Sequence, residues 1–103
     1  MEIVIIRNWI RSVGVELEGG IIHSSIPLLK EKWDDGKLEI KTDGSVHVSP
    51  YPQVEDDWID DVEITYWDYD PEKVKAFVRD VWQLGFRQNY TCGNHMHLSL
   101  IHI

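Results

Sequence analysis

From Arg11 to Glu18 the chain alternates without a break: Val13, Val15 and Leu17 fall on one side of an extended backbone, and Gly14, Glu16 and Glu18 on the other. A strand of this kind needs cover for its apolar side, and its acidic side must face water or a cation. Further along, the sequence supplies that cover. Asp70 is a good N-cap, and Pro71 takes the first helical position, where its missing N–H goes unused. Val74, Phe77, Val78, Val81 and Trp82 recur at helical spacing, and Gly85 stands where a C-cap glycine belongs. The spacing predicts a helix over about 71–84 that lays one face on a sheet.

The remaining elements are shorter. Gly19-Gly20 ends or bends the first strand, and Met1–Ile6 can pair with it. Ser25 is placed to cap a short helix with Ile26, Leu29 and Trp33 on one side and Pro27 in its first turn, and Asp34-Asp35-Gly36 stops it. Lys37–Lys41 alternates, and Thr42-Asp43-Gly44-Ser45 turns the chain into Val46-His47-Val48, which reads as a hairpin. Residues 49–61, with two prolines and five acidic residues, read as an exposed loop before a strand at Val62–Tyr69. A last strand within Tyr90–Leu100 puts His95 and His97 on one side. Trp33 and Trp82 read as core. The expected class is α+β: an antiparallel sheet with helices on one face and an open working face on the other.

Composition narrows the function. A formal charge of −8 repels phosphate backbones and anionic headgroups, so neither nucleic acid nor a membrane surface is an expected partner. No apolar run approaches the roughly 18 residues of a membrane span, and the opening residues lack the basic start of a signal peptide. Cys92 is the only cysteine, which forbids an internal disulfide and agrees with a cytoplasmic setting. At 103 residues the chain makes one domain at most.

The residues able to carry chemistry are paired polar side chains on strands: Glu16 with Glu18, Glu63 near the start of another strand, and His95 with His97. Gathered on one face, carboxylates repel one another unless a cation sits among them. Three carboxylates with one or two imidazoles suit Mg²⁺ or Mn²⁺ better than a structural Zn²⁺. Taken singly, each group also reads as ordinary surface: an i, i+2 glutamate pair is a common solvated strand face, Asp43-Gly44-Ser45 a common turn, and Cys92 a small packing residue.

The order of these groups adds information. Gly14-Val15-Glu16-Leu17-Glu18, then Asp43-Gly44-Ser45, then Val62-Glu63-Ile64-Thr65, an amphipathic helix, and Cys92-Gly93-Asn94-His95-Met96-His97 resemble the motif series of the amidoligase family, carboxylate-amine ligases similar to glutamine synthetase and the glutamate-cysteine ligases. Two positions depart from that series. Ile64-Thr65 is followed by Tyr66-Trp67 where the family has a small hydroxyl residue and proline, which bears on the substrate side of the pocket. Asn94 stands where the family has an aliphatic residue.

The resemblance implies part of a glutamine-synthetase-type catalytic domain. In it ATP phosphorylates a small-molecule or peptide carboxylate, and an amine attacks the acyl phosphate to give an amide. By the same resemblance Glu16, Glu18 and Glu63 are catalytic and hold Mg²⁺ or Mn²⁺. His95 and His97 are further ligands or phosphate contacts, and Asp43 and Ser45 line the cofactor. In-line phosphoryl transfer needs alignment and charge neutralisation above all, which carboxylate-held metals supply. Three alternatives stay open: a non-catalytic metal-binding domain, a metal-dependent hydrolase in which water replaces the amine, and a partner-binding module. No basic cluster follows His97, although such ligases need one to grip phosphate. Leu98-Ser99-Leu100-Ile101-His102-Ile103 is what the codons CTG-TCT-CTT-ATA-CAC-ATC encode, the mosaic-end string of transposase-based sequencing libraries. On this reading residues 1–97 are the N-terminal part of an amidoligase-like domain, 98–103 a non-native tail, and the chain inactive as a ligase by itself.

Overall fold

A computed structural model describes residues 10–42, 59–89 and 91–100. In chain order these form strand β1 (Ile10–Ile22), helix α1 (Ser25–Trp33), strands β2 (Leu38–Thr42) and β3 (Ile59–Asp68), helix α2 (Pro71–Gln83) and strand β4 (Asn94–Leu100). The strands make one sheet in the order β2-β3-β1-β4, with every neighbouring pair antiparallel. Both helices pack on one side of it, so the α+β expectation holds. Among the described residues no helix is long and apolar enough to cross a membrane.

The core follows from alternation. Val13, Val15, Leu17 and Ile21 of β1 and Val62, Ile64 and Tyr66 of β3 meet Leu29 of α1 and Val74, Phe77 and Val81 of α2. Tyr66 stacks on Phe77 with centroids 4.4 Å apart, and Trp33 meets both rings edge-on. Asp70 caps α2 as expected, its carboxylate accepting from the Glu72 amide at 3.0 Å, and Gly85 takes a positive φ of 94° just past the helix end.

Several sequence expectations are corrected. Gly19-Gly20 does not end β1, which runs three residues beyond Gly19. The glycine is there because the ring of buried Phe86 and the Arg87 carbonyl lie against its Cα, where a Cβ would come within 2.5 Å of each. Ser25 does not cap α1. Ser24 holds the N-cap position, its side chain making no capping hydrogen bond, and the Ser25 hydroxyl donates to the Leu84 carbonyl at 2.9 Å, tying the start of α1 to the end of α2. Strand β3 begins at Ile59, inside the stretch read as loop, because β1 continues far enough to pair with it. The described partner of β2 is β3. Trp82, expected in the core, is 37% exposed and meets Phe86 edge-on at the margin of the helix–sheet contact. The proposed strands Met1–Ile6 and Val46–Val48 lie outside the described residues.

Asp68 is a carboxylate in the core phase of β3, 4% exposed. Its Oδ2 accepts from the Tyr66 hydroxyl at 3.0 Å and from Lys37 Nζ at 3.3 Å, and its Oδ1 accepts from the Asp70 amide at 2.9 Å. Burial alone would raise this carboxyl, but the three donors outweigh it and hold it below its ordinary value. Its hydrogen bond to Asp68 raises Lys37 in turn, and burial, followed by the phenol's own hydrogen bond to Asp68, raises Tyr66. A lowered acid stabilises the fold above its unfolded value and loses that contribution as pH falls through the folded one; a raised base or phenol loses its contribution as pH rises. The melting temperature is therefore expected to fall below about pH 4 and again above about pH 10. In Asp68→Asn the acid limb should flatten; thermal melts from pH 3 to 11 that show an unchanged acid limb would remove Asp68 as its cause.

Candidate functional site

The side of the sheet away from the helices carries the polar half of each alternation. Register determines who stands beside whom. Glu16 of β1 lies opposite Thr65 on β3 and His95 on β4, and Glu18 lies opposite Glu63, which in turn faces Lys41 on β2. Directly paired residues on one face have Cβ atoms roughly 4.5–5.5 Å apart. Glu16, Glu18, Glu63 and His95 thus share the open face, the three carboxylates half-buried and the imidazole exposed. His97 pairs with Gly14, the next open-face position of β1. Asp43 and Ser45 lie outside the described residues.

The backbone around Glu18 is held from the side where β4 has run out. Its N–H donates to the Gly93 carbonyl at 3.1 Å, and its carbonyl accepts from Gln88 Nε2 at 2.8 Å. Gln88 and Asn94 exchange hydrogen bonds through their amides, so the Asn94 departure from the family pattern acquires a structural role. Asn89 shapes the preceding turn by accepting from the Thr91 amide and hydroxyl, and the Cys92 amide donates to the Asn89 carbonyl. A Cβ placed on Gly93 would sit 3.6 Å from Glu18 Oε1 and 3.6 Å from His95 Nε2, both ordinary contacts.

The Tyr66-Trp67 departure divides between the two sides of β3. Tyr66 enters the core. Trp67 stands on the open face opposite Gly14, 39% exposed, edge-on to Tyr69 at 5.2 Å and with Lys37 Nζ 5.7 Å from its ring centroid. It adds an aromatic wall one register step from Glu16. A separate groove of about 350 Å³, lined by Leu28, Lys32, Asp80, Gln83 and Leu84, lies between the helices and contains none of these residues.

Among the described residues, no group of three or more His, Cys, Asp and Glu stands close enough to hold a metal ion. That geometry does not suit a structural Zn²⁺, which takes four protein ligands in a closed shell. Gln88 was not singled out by sequence reasoning, and Gly93 and Asn94 entered only as members of the Cys92–His97 motif, since the hydrogen bonds they make depend on the turn that brings them against Glu18. Asp68 could have been found: it has the same strand parity as Val62, Ile64 and Tyr66. Comparison of the chain with protein-family models, curated proteins and solved structures finds no match.

Proposed function

We propose that the open face binds a divalent cation together with a nucleotide and belongs to a carboxylate-amine ligase of the amidoligase type. The observation that carries this reading is the pairing of Glu18 with Glu63 and of Glu16 with His95 on one side of the sheet. Like charges directly opposite each other destabilise a sheet unless something cationic lies between them. Mg²⁺ or Mn²⁺ held by one or two of Glu16, Glu18, Glu63 and His95, with water and the ATP phosphates filling the rest of its shell, would neutralise both the carboxylates and the ATP phosphates. The γ-phosphoryl group would pass to the substrate carboxylate with release of ADP. The amine would then attack the acyl carbon, losing a proton as phosphate leaves. The chain's part is to align and to neutralise. Trp67, where the family pattern has proline, would form the substrate-side wall and suits an apolar or cationic amine.

Glu18→Gln tests the reading. Removing one of two facing carboxylates should raise the metal-free melting temperature slightly while lowering Mn²⁺ affinity about tenfold or more. Titration of wild type with the ATP analogue AMPPNP should show binding that depends on Mg²⁺ or Mn²⁺. Nucleotide binding that is equally tight in EDTA would overturn the ligase reading. Metal binding without any nucleotide binding would favour the non-catalytic alternative.

A further inference from the structure

The two edges of the sheet differ in how they meet water. An edge strand carries unpaired N–H and C=O groups along its outer side, and proteins blunt such edges with short strands, lysine, proline or other charge. Strand β2 is blunted in this way: it has five residues, and Glu39 and Lys41 are exposed on it with their charged ends 3.3 Å apart. Strand β4 has seven residues and no Lys, Arg, Asp, Glu or Pro among them. Among the described residues it has β1 on one side and no strand on the other. The core that the helices cover lies over β1 and β3, so Met96 is 39% exposed although it pairs with Val15, which is 1% exposed.

Charge narrows what can lie along that edge. All 18 acidic residues fall at or before Asp80, whereas residues 81–103 hold one arginine and three histidines. Two chains of charge −8 repel each other, and the repulsion is weakest where neither presents a carboxylate. We infer that the outer edge of β4 is a docking surface for a second copy of this chain, whose own β4 adds to it antiparallel. A two-fold axis perpendicular to the sheet then relates the copies and joins them in one continuous sheet, with all the helices on one side. The two β1 strands stand three strand spacings apart, about 14 Å, so Glu16 and Glu18 of one copy lie beyond the roughly 8 Å screening length from those of the other.

Sedimentation equilibrium tests this on the whole chain, comparing wild type with Met96→Lys on β4 and Thr42→Lys on β2, both exposed positions paired with core residues. At about 100 μM, far above the micromolar Kd of a weak specific interface, wild type should be a dimer. Met96→Lys should raise Kd about tenfold or more by placing an unpaired charge at the seam, and Thr42→Lys should leave it unchanged. Hydrogen exchange on wild type gives a readout that needs no variant: on dilution, the amides of residues 94–100 should lose protection while those of 38–42 do not. A wild-type monomer at the stated concentration overturns the inference, and so does a Met96→Lys dimer as tight as wild type. Assemblies that grow beyond the dimer overturn it as well, because a closed two-fold pairing of one edge leaves nothing to extend. If Met96→Lys fails to fold, exchange decides: protection of 94–100 that is independent of concentration means that no second copy covers β4.

Discussion

Gly19→Ala is expected to lower stability by about 3 kcal/mol, at the upper end of what one inserted methyl group costs in a packed interior. The added carbon would lie 2.5 Å from the Arg87 carbonyl oxygen and 2.5 and 2.7 Å from two carbons of the Phe86 ring. Neither neighbour can yield cheaply. Arg87 is tied to Gly20 by two backbone hydrogen bonds of 2.9 Å, and Phe86 is fully buried. The usual gain of about 0.5–1 kcal/mol from replacing a glycine inside a strand is too small to offset such a clash. For a domain of this size each kcal/mol shifts the melting temperature by about 4–8 °C, so a fall of at least 10 °C is expected. A melt within 3 °C of wild type would show that the Phe86 segment does not press on β1. Gly93→Ala is the matched control, because the same substitution there meets only ordinary contacts.

The contrast between these glycines bears on how much could be read beforehand. Alternation is local, so the faces of Glu16, Glu18, Glu63 and His95 followed from periods of two, and the apolar spacing of Val74, Phe77 and Val81 located α2. What escaped depends on contacts distant in sequence. Gly19 reads as a strand breaker until Phe86 is seen against it. Ser25 reads as a cap until the Leu84 carbonyl proves to be its acceptor. Asp68 contradicts the core pattern and is tolerated only because Tyr66, Lys37 and the Asp70 amide surround it. For the site, the pairing partners across strands were not legible, since register depends on turns and bulges that no single strand encodes.

Phe77→Ala should be the most damaging single substitution on the helix side of the sheet and should leave the opposite face chemically intact. Phe77 is fully buried, stacks on Tyr66 with only 13° between the ring planes, and receives the edge of Trp33 at 5.5 Å. Its truncation removes a side chain's worth of apolar burial and opens a cavity between α2, β3 and α1, for which about 3–5 kcal/mol is the ordinary cost. A domain whose total stability is about 5–15 kcal/mol comes close to unfolding at that loss. Phe77→Leu retains most of the volume and should cost under about 2 kcal/mol, with the difference assigned to packing and the aromatic contact. The two sides of β3 then separate in one measurement. Phe77 acts on Tyr66, whereas Glu63 and Thr65 lie on the other face, so Phe77→Leu should lower the metal-free and Mn²⁺-loaded melting temperatures equally and leave their difference unchanged. Glu18→Gln should do the reverse, changing the difference while hardly moving the metal-free melt. If Phe77→Leu instead abolished the Mn²⁺-induced shift at temperatures where the chain stays folded, the cation would be sensing the core, and a site built only from the open face would no longer account for it.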